Sequence, residues 1–265
     1  MSTREPISLP EPLVLLAEHR RRAALFLDFD GTLSAIVPDP DMARPLPAVP
    51  ALLATLAERF ALVAVISGRP TAFLREQLGQ PSGVQLVGLY GLERALSASE
   101  EAARWAASIG TVVEEASAAA PDGVFVEPKG LTVTLHWRHA PDAQPWVESF
   151  AARQHDRHRL VLHRGRKEIE LRPPLAVDKG SVVKNLAAEH SRLLALDAVA
   201  VFGDDLGDLP AFAAVGDLGT PDHPVTAVRV AAVDAESPAE VAERADLTVA
   251  GPEGAVALLE LLAQA

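Results

Sequence analysis

The sequence predicts an α/β protein with a Rossmann-like, doubly wound parallel-sheet core and an inserted α+β cap domain. Three observations predict it. Short, wholly apolar runs (Ala23–Leu27, Leu62–Ile66, Ala198–Phe202) alternate with helical patterns, as expected of strands buried on both faces. Asp28 and Ser67 directly, and Asp204 after Gly203, follow those runs, where an open parallel sheet binds its ligands. Near residue 100 the alternation gives way to helix, two strands, helix, two strands, an α+β unit with its own sheet. The organisation that follows is core 1–99, cap 100–173 and core 174–265, with Pro173-Pro174 at the return.

The elements run in order. Residues 11–22 read as a leading helix whose end, His19-Arg20-Arg21-Arg22, suits the negative pole of a helix. A strand over 23–28 follows. Pro38, Pro40, Pro45, Pro47 and Pro50 force an irregular, stiff excursion between Ile36 and Pro50. Helix 49–59, strand 62–66, helix 70–78 and strand 85–87 restore the alternation. The insert contributes helix 100–119, strands 124–127 and 131–137, helix 142–156 and strands 160–163 and 168–171. Helix 179–189, strand 198–202, helix 207–214, a weak strand at 246–249 and helix 252–263 complete the core.

Composition narrows the functional classes. The 265 residues carry a net charge of −12, which argues against nucleic-acid and anionic-membrane partners. The same charge means that a phosphorylated ligand needs a local reversal of field by a metal and a few cations. With no cysteine, thiolate nucleophiles, disulfides and Cys-based zinc sites are excluded. Met1-Ser2-Thr3-Arg4-Glu5-Pro6 lacks a charged-then-apolar signal pattern, and no apolar run reaches spanning length. The expectation is a cytoplasmic protein, taken by default as a monomer.

Asp28-Phe29-Asp30-Gly31-Thr32 is the most informative stretch. Two carboxylates stand one residue apart where a strand ends, and Phe29 between them turns back towards the core. Gly31 allows a tight turn, and Thr32 adds a hydroxyl. Such a set suits a carboxylate nucleophile, a neighbouring acid/base carboxyl and a divalent cation. Gly203-Asp204-Asp205, with Asp208 one turn on, supplies further carboxylates at a second strand end; by itself it also reads as an acidic helix N-terminus. Ser67-Gly68 follows a third strand and alone reads as an N-cap. Lys179 opens a helix, where the dipole disfavours positive charge; alone it also reads as a surface lysine, and its placement favours a ligand role.

In that order, Asp28–Thr32, Ser67, Lys179 and Gly203-Asp204-Asp205 with Asp208 resemble the four motifs of the haloacid dehalogenase superfamily of phosphotransferases. Further segments are similar to trehalose-6-phosphate phosphatases. They are Val65-Ile66-Ser67-Gly68-Arg69, Gly88 to Glu93, Val126 to Leu131 through His136-Trp137-Arg138, Glu170 to Pro173, and Asp178-Lys179-Gly180. The chain departs from that family at Gly207 and Leu209, where a threonine and an acidic residue are usual.

The resemblance implies that Asp28 attacks phosphorus to form an aspartyl-phosphate and that Asp30 acts first as acid, then as base. It implies Mg2+ on the Asp28 carboxylate, the Asp30 carbonyl and Asp204, with Asp205 and Asp208 orienting waters or Lys179. Thr32, Ser67, the Gly68 N–H and Lys179 hold phosphoryl oxygens. The insert acts as a mobile lid in which Glu127, Lys129 and Glu170 grip sugar hydroxyls. Arg138 is a weaker candidate for such a contact, and His136 reads as structural. The expected activity is magnesium-dependent hydrolysis of trehalose 6-phosphate, a small-molecule sugar phosphate. Alternatives are a sucrose-6-phosphate or mannosyl-phosphoglycerate type of phosphatase, a phosphomutase, or a catalytically silent sensor.

Overall fold

The structure, a computed structural model, describes residues 9–37, 39–97, 99–165, 167–235 and 237–265. Pro38 of the proline-rich excursion and the Met1–Pro6 opening lie outside the described residues. The chain divides into two compact units, Met1–Gly91 with Val177–Ala265, and Leu92–Ala176. From sequence, the change of pattern is read at 100.

In the first unit the helices are α1 (Glu11–Glu18), α2 (Val49–Arg59) and α3 (Thr71–Leu78), and the strands are β1 (Ala23–Leu27), β2 (Leu62–Ile66) and β3 (Val84–Val87). In the second unit, α4 (Leu92–Ala95) and α5 (Glu100–Ala119) precede β4 (Phe125–Pro128) and β5 (Val133–His136). Helix α6 (Gln144–His158) then precedes β6 (Val161–Gly165) and β7 (Glu168–Arg172). The first unit resumes with α7 (Lys179–Ser191), β8 (Ala198–Gly203) and α8 (Leu209–Gly216). A small hairpin, β9 (Gly219–Thr220) and β10 (His223–Pro224), leads to β11 (Thr226–Val233), α9 (Ala239–Glu243), β12 (Leu247–Ala250) and α10 (Gly251–Gln264).

The first unit is a six-stranded sheet in the order β12-β11-β8-β1-β2-β3, and its paired strands are parallel. The chain leaves β1 towards β2 and β3, then returns to add β8, β11 and β12 on the other side. The order therefore reverses between β1 and β8, which makes their carboxyl ends the topological switch point. Alternate residues of β1 enter opposite cores. Ala23, Leu25 and Leu27 pack with residues of α1, α2 and α10, whereas Ala24 and Phe26 pack with residues of α7 and α8. Burial on both faces explains why β1 and β2 read as unbroken apolar runs.

The second unit is an antiparallel sheet in the order β4-β5-β7-β6. Val133, Leu135, Ile169 and Leu171 pack with Ile109 and Val112 of α5 and with Val147 and Phe150 of α6. By the period of two, Glu127, Thr134, His136, Glu168 and Glu170 lie on the opposite face.

Three expectations are corrected. The leading helix stops at Glu18, and Arg20–Arg22 forms a 3₁₀ turn. Its arginines still serve helix ends: Arg20 Nη1 donates to the Ala17 carbonyl of α1 (3.2 Å) and Arg21 Nη1 to the Glu58 carbonyl of α2 (2.8 Å). The helix expected at 207–214 is a 3₁₀ turn, Leu206–Asp208, running into α8. An eight-residue strand, β11, fills a stretch to which periodicity assigns no element. Arg229 interrupts its apolar run, but the side chain reaches out to the Phe212 carbonyl (2.8 Å) and to Asp246 (3.3 Å), so the backbone remains in the sheet.

Candidate active site

The Asp28 N–H still donates to the Phe202 carbonyl (3.0 Å), so the aspartate extends the β1 ladder by one residue. Phe29 is fully buried and packs edge-on against Phe73, with ring centroids 5.8 Å apart. That anchor turns the chain at the sheet edge and leaves Asp28 and Asp30 on the other side of the strand direction. Gly31 has φ +79°, and a β-carbon there would lie 2.1 Å from Asp204 Oδ2. The glycine thus serves both a left-handed turn and the close approach of the second carboxylate. Thr32 is fully buried, and its hydroxyl has no hydrogen-bond partner among the described residues. An orphaned buried hydroxyl is costly, and it suits a group that binds a ligand.

Lys179 links the strand ends. Its Nζ lies 2.6 Å from Asp28 Oδ1 and 2.6 Å from Asp208 Oδ1. All three side chains are buried. Asp178 caps α7 by accepting the Ser181 N–H (2.7 Å). With its head group between two carboxylates, Lys179 is held at a helix start that the dipole alone disfavours. Asp208 uses both oxygens: Oδ2 accepts the N–H groups of Asp204 (3.0 Å) and Asp205 (3.2 Å). Asp205 in turn accepts the Gly207 N–H through Oδ1 (2.7 Å). The turn therefore closes on aspartates and backbone, without the threonine usual at 207.

The charges do not balance. Asp28, Asp204 and Asp208 offer carboxylate oxygens within 4.8 Å of one another, against the one ammonium of Lys179. Burial, opposed by Lys179 and reinforced by Asp208, raises the Asp28 pKa to about 8. Burial and the charges of Asp28 and Asp208 raise Asp204 to about 11. Burial disfavours the charge on Lys179, yet Asp208 and Asp28 outweigh it and lift its pKa well above the usual value. An all-oxygen, over-acidic, buried donor set fits a hard divalent cation.

Ser67 directly follows β2, the parallel neighbour of β1. It is buried, its N–H donates to the Val87 carbonyl (3.0 Å), and its Oγ accepts the Arg69 N–H (3.1 Å). A β-carbon at Gly68 would lie 2.5 Å from the Tyr90 hydroxyl, so the small residue lets that ring approach. Tyr90 itself has φ +54° and is tied by its N–H to the Ser67 carbonyl (2.9 Å).

Asp30 is separate from the acidic cluster. Arg69 forks onto its carboxylate, Nε to Oδ2 at 2.8 Å and Nη2 to Oδ1 at 2.9 Å. The guanidinium also donates to the Pro40 carbonyl (3.0 Å) and stacks over Phe73, 4.9 Å from the ring centroid. Sequence reasoning overlooked Arg69. An arginine directly after Ser67-Gly68, on the strand beside an Asp-x-Asp turn, is the signal that could have found it.

Within the second unit, two of the three residues expected to grip sugar, Glu127 and Glu170, are buried on the helix-free face of the sheet, and half-buried Lys129 directly follows β4. Glu127 Oε2 lies 3.3 Å from Lys129 Nζ and 2.8 Å from His136 Nε2. His136 Nδ1 lies 3.1 Å from Glu168 Oε2. Glu170 Oε1 accepts the Thr132 hydroxyl (2.7 Å). Thr134 stands in register between Glu127 and Glu170, and its buried hydroxyl has no partner among the described residues.

The family model of trehalose-phosphatase matches residues 26–249. The trehalose-phosphate phosphatase of Mycobacterium avium is 39% identical over 205 residues, which are 74% of this chain and 52% of that one. That of Mycobacterium marinum is 36% identical over 236 residues, 84% of this chain and 60% of its own. The chain thus spans between half and two thirds of the length of these relatives. The C-terminal domain of the C. albicans trehalose-6-phosphate phosphatase shares the fold, with a TM-score of 0.73 at 23% identity over 97% of this chain and 98% of that one. With the model spanning both core segments and the insert, the chain belongs to the trehalose-phosphatase family.

Proposed function

We propose that this chain is a magnesium-dependent phosphoric monoester hydrolase that converts trehalose 6-phosphate to trehalose and phosphate in trehalose biosynthesis. The observation that carries the reading is Asp28, buried at the switch point, ion-paired with Lys179 and flanked by Asp204 and Asp208. Family membership and the names of the relatives support the substrate.

Asp28 attacks phosphorus, and the bond from phosphorus to the sugar oxygen breaks. Asp30 gives that oxygen a proton and the aspartyl-phosphate remains on Asp28. Asp30 then takes a proton from water as its oxygen attacks the same phosphorus, releasing phosphate and restoring Asp28. Lys179, the Thr32 and Ser67 hydroxyls and the Gly68 N–H hold the phosphoryl oxygens. Asp208 fixes Lys179 through the 2.6 Å pair, and Asp205 braces the turn that carries Asp208. Asp28, Asp204 and the Asp30 carbonyl would hold magnesium, which would supply the positive charge that offsets the repulsion between a phosphate dianion and a carboxylate.

Glu127, Lys129 and Glu170 recognise sugar hydroxyls. The orphaned Thr134 hydroxyl between two of them supports a ligand-binding strip. The protein acts in the cytoplasm, a reading supported by its cysteine-free composition, and is taken as a monomer by default.

Phosphate release from a panel of sugar phosphates, with magnesium and with chelator, tests this. The expected result is metal-dependent release, fastest from trehalose 6-phosphate. Preference for a monosaccharide phosphate would overturn the substrate, and an isomerised sugar phosphate in place of free phosphate would overturn hydrolysis.

A further inference from the structure

His136 contacts a carboxylate through each ring nitrogen, Glu127 through Nε2 (2.8 Å) and Glu168 through Nδ1 (3.1 Å). An ionised carboxylate only accepts hydrogen bonds, and a neutral imidazole carries one N–H. Satisfying both partners requires both nitrogens to donate, so this arrangement calls for an imidazolium. Phe125 packs on the ring, with centroids 5.7 Å apart and planes inclined by 32°. The ring is set by backbone register as well: His136 pairs with Phe125 on β4 and with Glu168 on β7. Lys129 and His136 hold the same oxygen of Glu127. The other charged or titratable groups on this face, among the described residues, are Glu168, Glu170 and Arg172 of β7 and His163 of β6.

We propose that His136 is a positioning residue, an imidazolium that fixes the orientation and charge of Glu127 for the sugar. The proposal rests on the reading of Glu127 as a sugar contact. A carboxylate tied at one oxygen by two cations loses less freedom when a hydroxyl binds it, so the tie appears in substrate affinity rather than in the chemical step. Burial alone would lower the His136 pKa, but the bonds to Glu127 and Glu168 raise it above its ordinary value. The imidazolium is therefore complete below that raised pKa and is lost as pH climbs through it.

The test is steady-state kinetics on trehalose 6-phosphate for the whole chain and for His136→Leu, His136→Gln and Glu127→Gln. His136→Leu should raise KM about tenfold, with kcat changed by less than about twofold. His136→Gln, which keeps one donor, should raise it less. KM of the unaltered protein should climb through the alkaline limb more steeply than that of His136→Gln. Unchanged KM in both histidine variants, beside a raised KM in Glu127→Gln, would overturn the role of His136 alone. Unchanged KM in Glu127→Gln would overturn the sugar reading beneath it. If His136→Leu does not fold, ¹⁵N NMR of histidine-labelled protein decides: two protonated ring nitrogens at neutral pH uphold the proposal, and a neutral ring refutes it.

Discussion

Two acidic clusters, one in each unit, solve opposite electrostatic problems. In the first unit, Asp28, Asp204 and Asp208 share Lys179, and burial pushes Asp28 and Asp204 far above the usual carboxylate range. In the second, Glu127 is held by Lys129 and His136, and Glu168 by His136. The first cluster is short of positive charge, a deficit that the proposed magnesium would offset. The second is close to balanced, which suits a neutral polyol that offers hydroxyls and brings no charge. Under the proposed function, the contrast separates a centre for phosphoryl chemistry from a strip for sugar recognition.

The largest expected effect falls on the first cluster. Asp28→Asn should lower kcat on trehalose 6-phosphate by at least about 10⁴-fold, with the thermal transition kept. Lys179→Met should cost about 10²–10³-fold, because phosphate then meets the carboxylates without an ammonium. Equal activity in either variant would break the proposed division of labour.

Metal and pH sharpen it next. Asp28 and Asp204 titrate near 8 and 11 in the folded protein but near 3.8 when unfolded. Without metal the folded state therefore holds protons that the unfolded chain has released. Its stability falls as pH rises from about 4 through 8 and on towards 11. A cation competes with protons for the same oxygens, so the gain in Tm on adding magnesium should grow across that interval. A gain independent of pH would contradict the acidic cluster as the metal site.

Smaller effects are expected at the edges of the two clusters. Arg69→Lys removes the fork on Asp30 while keeping the charge, and should slow turnover about tenfold. Full activity in that variant would show that the fork is dispensable. Glu127→Gln should act mainly on KM, by about tenfold, and a loss confined to kcat would place Glu127 with the chemistry instead.

Sequence revealed most of the first cluster and little of the second. Asp28, Ser67 and Asp204 were legible because parallel strands buried on both faces read as apolar runs, and polar residues at their ends stand out. Lys179 was legible through its misfit with the helix dipole. The fork from Arg69 to Asp30 was not, because it joins residues 39 positions apart through side-chain geometry that no periodicity encodes. The contacts of His136 were not legible, because its partners, Glu127 and Glu168, meet it only through strand register. The strand β11 escaped because Arg229 sits in its middle, a charge whose partners, Phe212 and Asp246, are distant in sequence.

The most direct measurement is rapid-quench mass spectrometry of the protein turning over trehalose 6-phosphate with magnesium. A phosphoryl group should appear on Asp28, form within the first turnover and be absent from Asp28→Asn. Phosphate released with Asp28 never modified, or a phosphoryl group on another side chain, would contradict the account.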